Sequence, residues 1–171
     1  ATGGTVDLVA DTGAVTIAAL GDITADGAVN LTGATGINTA GDVTTTNDDV
    51  TYNSATTLTG NVDIDTGAGA GTITFANTLD ATVAETLDLD AGTGNIDFDG
   101  VVGGVTRLGA MTIADAGDVT ADFAITAASF VQTDGSGTTT FTGAVDTNAA
   151  AGVNVTNDAI ALDNTINTTT G

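Results

Sequence analysis

There is no cysteine, proline, histidine, lysine or tryptophan among these 171 residues, and Arg107 is the single base. Each absence removes a class of structure or chemistry. Without cysteine there is no disulfide, and the redox compartment leaves no mark on the sequence. Without lysine there is no Lys–Asn isopeptide staple. Zinc sites and nucleophilic triads built on histidine or cysteine are out of reach. The helix formers Lys, Gln, Glu and Arg are almost missing, so little helix is expected. No apolar run approaches the roughly 20 residues of a spanning helix, so no membrane insertion is expected. The chain opens Ala1-Thr2-Gly3, with no initiator Met and no basic leader. It reads as a processed chain or as a segment of a longer repeat chain.

What is present is acid, glycine and regularly spaced apolar residues. The 22 acids against one base give a net charge of -21, and Glu85 is the only acid that is not Asp. Such a surface repels nucleic acid and anionic membranes, so neither is an expected partner, and it attracts cations. An acidic chain with few aromatics can be disordered. Here 42% of residues are hydrophobic, and Val, Ile, Leu and Phe recur at fixed spacing, which favours an ordered chain.

The clearest unit is Leu87 to Phe98. Leu87 and Leu89 alternate with Asp88 and Asp90, a turn with Gly92 and Gly94 follows, and Ile96 and Phe98 alternate again. Period-two alternation marks strands with one face in and one face out, so the unit is a strand, a corner and a strand. First strands of such corners begin at 62, 87, 111, 130 and 153; second strands begin at 73, 96, 119, 139 and 160. Upstream, Val43 leads to Val50, Ile23 to Val29, and Val6-Asp7-Leu8 to Val15-Thr16-Ile17. A third strand is expected in each connection, at Ile37, Leu58, Leu79 with Val83, Val105 with Leu108, Phe123 with Ile125, Val145, and Ile166.

Short strands repeating every 19–25 residues, with glycine corners and no helix signal, predict an all-β parallel β-helix over residues 1–171, with about seven coils. Each coil is too small to bury its own apolar face, and stacking buries one continuous column. Ile64, Phe75, Leu87, Leu89, Ile96, Phe98, Ile113, Phe141, Val155 and Leu162 should point into it. A β-sandwich is the rival fold, and it predicts no fixed register between turns.

The stretch Gly94 to Ile113, GNIDFDGVVGGVTRLGAMTI, resembles repeats of filamentous-haemagglutinin-like and autotransporter-type giant bacterial surface adhesins. Gly94, Asn95, Ile96, Phe98, Gly100, Val102, Gly103, Gly104, Thr106, Leu108, Gly109, Thr112 and Ile113 follow that repeat form, and Gly137 to Val145 resembles another piece of it. The resemblance implies a right-handed parallel β-helix in an extracellular, cell-surface stalk, adhesin or filament.

Asp63 with Asp65, Asp88 with Asp90, and Asp97 with Asp99 are Asp-x-Asp pairs. Calcium takes hard oxygen ligands of this kind, and it is the one cofactor the sequence suggests. The other reading is a solvated acidic face, since no calcium nonapeptide recurs in tandem. The run Gly67-Ala68-Gly69-Ala70-Gly71 lacks the Lys and Ser/Thr of a phosphate loop and reads as a corner. Asn30, Asn154 and Asn167 open Asn-x-Thr sequons.

Three function classes are compatible with a β-helix. A polysaccharide lyase needs a base, for which Arg107 is the only candidate. A hydrolase needs paired carboxylates in a cleft, with aromatics to hold the sugar; Tyr52 is the one tyrosine. A ligand-binding adhesin tip, for carbohydrate or another surface, needs a cluster on one lateral face. A structural rod without catalysis needs only a uniform surface and ends that continue, into further repeats or by end-to-end self-association. Both termini are strand-like, which favours the rod.

Overall fold

The computed structural model describes residues 3–170 and shows a β-solenoid without helix. The first coil is β1 (Val6–Ala10), β2 (Val15–Ile17) and β3 (Ile23–Thr24). The second is β4 (Val29–Gly33), β5 (Ile37–Thr39) and β6 (Val43–Thr44); the third is β7 (Val50–Tyr52), β8 (Thr56–Leu58) and β9 (Val62–Asp65). The fourth is β10 (Ile73–Phe75), β11 (Leu79–Ala81) and β12 (Leu87–Asp90), and the fifth is β13 (Ile96–Phe98) and β14 (Leu108–Ile113). The sixth is β15 (Val119–Ala121) and β16 (Ile125–Gln132), the seventh β17 (Thr138–Phe141), β18 (Val145–Thr147) and β19 (Val153–Val155). β20 (Ala159–Leu162) and β21 (Ile166–Thr168) begin an eighth.

Every strand pairing among the described residues is parallel, coil on coil, which removes the sandwich. The first row runs β1-β4-β7-β10-β13-β15-β17-β20. Its register passes through Val6, Val29, Val50, Ile73, Ile96, Val119, Thr139 and Ile160, in steps of 20–23 residues. The second row is β2, β5, β8 and β11, a single bridge at Val102, the start of β16, β18 and β21. The third row is β3, β6, β9, β12, β14, the end of β16, and β19.

The five corner copies expected from residue 62 onward all stand in this register. Val62, Leu87, Met111, Phe130 and Val153 lie side by side in the third row, as do their second strands in the first. The N-terminal corner needs correction. Val6–Leu8 is first-row strand and Val15–Ile17 second-row strand, so this corner is the next one round the coil. The short, similar strands of a low-complexity chain give no local mark of which corner is which.

The third strands at Ile37, Leu58, Leu79, Ile125, Val145 and Ile166 are present. Val83, Val105 and Phe123 are instead exposed loop residues, and in the fifth coil the second row is held by Val102. A lone valine or phenylalanine in a loop carries the same letter as one in a strand, and only register separates them.

The column is the core. Val29, Leu31, Val50, Tyr52, Leu58, Ile64, Ile73, Leu79, Leu87, Ile96 and Phe141 are wholly buried, and they alternate with outward polar residues along each strand. Burying each such side chain contributes about 1.5–3 kcal/mol. Aromatics stack up the first row: Tyr52 on Phe75 at 4.8 Å between ring centroids, and Phe75 on Phe98 at 5.6 Å with planes 3° apart. Phe130 meets Phe141 edge to face at 5.2 Å. The expected inward residues Ile64, Phe75, Leu87, Leu89, Ile96, Phe98, Ile113 and Phe141 are all buried. Val155 is half-buried, and Leu162, with Ile160 and Ile166, keeps the inward register but lies exposed on the last coil.

Corners close tightly, which is why glycine stands there. A Cβ on Gly94 would sit 2.1 Å from the Gly71 carbonyl oxygen of the coil below. Gly92 has φ +53°, the left-handed region that glycine adopts without cost. Asp and Asn side chains knit corners together from coil to coil. Thr72 N–H donates to Asp49 Oδ1 at 2.8 Å, Asp118 N–H to Asn95 Oδ1 at 3.0 Å, and Thr138 N–H to Asp118 Oδ1 at 2.7 Å. Each satisfies a backbone donor that a loop would otherwise leave to water.

Candidate functional site: acidic ladders and a corner groove

Register divides the six expected acids between two faces. Asp63 lies beside Asp88, and Asp65 beside Asp90, on the third row. Asp97 lies between Thr74 and Thr120 on the first row, with Asp99 two residues on. The third-row ladder is longer than the sequence pairs suggested. Asp63 N–H donates to Asp42 Oδ1 at 2.8 Å, and Asp42 N–H to Asp22 Oδ1 at 3.0 Å. Asp22 and Asp42 were legible only through register, since neither belongs to an Asp-x-Asp pair.

Asp65 and Asp90 have a local structural role. Each accepts a hydrogen bond from the glycine N–H two residues on, Gly67 at 2.6 Å and Gly92 at 3.0 Å, so each opens a corner. The carboxyl of Asp63 is held above its ordinary range, first by burial and then by the negative charges of Asp42, Asp88, Asp65 and Asp90. Asp97 is raised as well, by burial and then by Asp99, Asp122 and Asp118, with a hydrogen bond from Thr120 acting against the shift. Burial leads in both; beyond it, Asp63 feels the acids stacked beside it, and such like charges destabilise one another.

Asp63, Asp65, Asp88 and Asp90 line a shallow depression of about 270 Å³ with Leu89 and Thr112. Among the described residues, no group of three or more acids converges closely enough to hold a metal ion. Register sets these carboxylates side by side as a ladder, an arrangement that attracts cations.

Glu85, the single glutamate, is only 5% exposed. Burial acts to raise its carboxyl, but hydrogen bonds from the Thr82 hydroxyl and the Val83, Glu85 and Thr82 backbone bring it below its ordinary range. Val83 N–H donates to Glu85 Oε2 at 2.8 Å, so the carboxylate ties the loop after β11. The Thr82-x-x-Glu85 spacing was the available signal. Arg107 reaches two coils. Its guanidinium donates to Ala127 O at 2.7 Å, Asp146 O at 2.8 Å and Asp146 Oδ2 at 3.0 Å. This is a structural staple.

A second depression, about 290 Å³, lies on the corner between the first and second rows. The bridges Leu79–Val102–Ile125 set its register. Asn77, Gly100, Phe123 and Gly143 therefore occupy one corner position in successive coils. A Cβ on Gly100 would lie 2.4 Å from the Asn77 carbonyl carbon, and one on Gly143 would lie 2.0 Å from that of Phe123. Glycine is forced there by the close approach, and the missing side chain at Gly100 opens the groove between Asn77 and Phe123.

No protein-family model matches the chain, and no curated protein or solved structure matches it.

Proposed function

We propose that the chain is a structural β-solenoid, a length of an extracellular filament, stalk or adhesin rod that acts without catalysis. The observation that carries the reading is the unbroken inward column, stacked in one register through all the described coils. A side chain in such a column touches only the coils above and below, so the architecture extends by addition and stays stiff along its axis. The adhesin-repeat resemblance of Gly94 to Ile113 supports a cell-surface setting. The lateral acid keeps parallel rods from clumping.

The terminal coils favour continuation. Leu8 at one end is 39% exposed, and Ile160, Leu162 and Ile166 at the other are 40–55% exposed, though all hold inward register. Further coils, from the same polypeptide or from a second copy, would cover them. Negative-stain imaging and sedimentation test the reading: stiff rods that lengthen with concentration are expected. A flexible particle with no axial repeat would overturn it. A polysaccharide-cleaving activity lost in Asp97→Asn would overturn the non-catalytic part.

A further inference from the structure

Five of the six aromatic residues are buried in the column; the sixth, Phe123, is 52% exposed. It forms one wall of the corner groove. Asn77 and Thr78 form the other, and Asp99, Gly100 and Val101 lie between them. The volume, about 290 Å³, is at the small end for ligand sites and suits one ring or one long side chain.

The chemistry of the lining selects the occupant. Phe123 and Val101 offer an apolar surface, and Asp99 offers a carboxylate beside it. The register that aligns Phe98 with Ala121 aligns Asp99 with Asp122, so a second like charge stands in the adjacent coil beside the one carboxylate that lines the groove. The sequence's only cation, Arg107, is tied to Asp146. A neutral ligand would leave that repulsion in place, whereas a cation on an apolar stem would cover the ring and offset the charge. Lysine and arginine have this build, with methylenes that lie on apolar surface and a charged head that reaches past it. The Phe123 face adds a cation–π attraction.

We propose that the groove between Asn77 and Phe123 binds a lysine or arginine side chain presented by a partner protein. This goes beyond the structural role, which stands whether or not the groove is occupied. The groove gives a uniformly acidic rod one position where attraction becomes a defined contact.

The test uses the whole chain and two short synthetic peptides, one carrying a single arginine among glycine and serine, the other glutamine in its place. Amide chemical-shift mapping should show the arginine peptide moving Gly100, Val101 and Phe123, while the glutamine peptide moves none. Phe123→Ala and Asp99→Asn should each weaken binding by about fivefold, a loss typical of one cation–π or exposed charged contact. Phe123→Leu, which keeps an apolar wall and loses the ring face, should fall between Phe123→Ala and the parent. The control Asp63→Asn/Asp88→Asn, on the other acidic face, should change affinity by less than about twofold, as screening over a Debye length requires. Equal losses in control and groove variants would reduce the effect to net charge and overturn the proposal. Equal binding of the glutamine peptide would do the same, and so would shifts at these amides from a neutral monosaccharide but not from the arginine peptide.

Discussion

Replacing Tyr52 by phenylalanine should stabilise the protein. Tyr52 is fully buried in the aromatic stack, and its hydroxyl has no hydrogen-bond partner among the described residues. A buried donor without a partner loses its water and gains nothing, at a cost of about 1–3 kcal/mol. Phenylalanine keeps the ring, and with it the 4.8 Å stack on Phe75, and removes the stranded oxygen. Part of the gain is lost to the small void left behind, so a net gain of about 1 kcal/mol is expected. For a chain of this length that corresponds to a rise of roughly 2–4 °C in Tm.

Urea titration of parent and variant, with unchanged slope, is the direct assay. The parent offers an independent check, because Tyr52 is the only tyrosine and its ultraviolet signal is unmixed. Burial first, and the charge of Asp42 second, push its hydroxyl well above the ordinary value. Its neutral form therefore contributes stability that is present below about pH 10 and lost as pH rises above it. Tyrosinate should appear together with unfolding, not before. A Tyr52→Phe chain that is less stable than the parent, or a tyrosine that titrates normally while the fold persists, would refute the reasoning.

The acids give a second prediction. Asp63 and Asp97 have raised carboxyl pKa values, so the folded state binds their protons more tightly than the unfolded chain does. Stability should therefore increase as pH falls from 7 toward the range where they protonate, and Asp63→Asn should flatten that trend. Glu85 is lowered and works in the opposite sense, losing stability once pH falls through its own range. At a tight corner, Gly94→Ala drives a Cβ against the Gly71 backbone and should cost about 3 kcal/mol or more, read as a lower urea midpoint. Calcium separates the two readings of the acidic ladder: a bound ion should raise Tm with concentration by mass action, and chelator should lower it. No shift in either direction leaves only a solvated face.

The fold was legible where alternation and corner spacing reinforced each other. From Val62 onward four of the five strand pairs repeat apolar-x-apolar, with Phe130-Val131-Gln132 and Thr139-Thr140-Phe141 the weaker copy, and stacking requires those positions to coincide. The first coil broke the reading because nine residues separate Val6 from Val15, against six from Ile73 to Leu79, and sequence alone did not say which corner had lengthened. The acids were harder. Asp65 and Asp88 look alike in sequence, yet one caps a glycine turn and the other faces its neighbour in a ladder. That difference is set by which backbone N–H lies nearby. The corner groove left no local pattern at all, because it arises from a glycine in one coil placed between side chains of two others.

The Arg107 staple has a consequence for durability. Trypsin-like proteases cut only after lysine or arginine, and this chain offers them a single bond, between Arg107 and Leu108. The side chain such an enzyme must draw into its pocket is held by two backbone carbonyls and a carboxylate in the next two coils. Leu108, on the far side of the bond, is wholly buried in β14. Cutting there first requires the middle of the solenoid to open, and local opening in a packed core is rare. A solenoid built this way offers trypsin-like enzymes one guarded bond where most chains of its size would expose many.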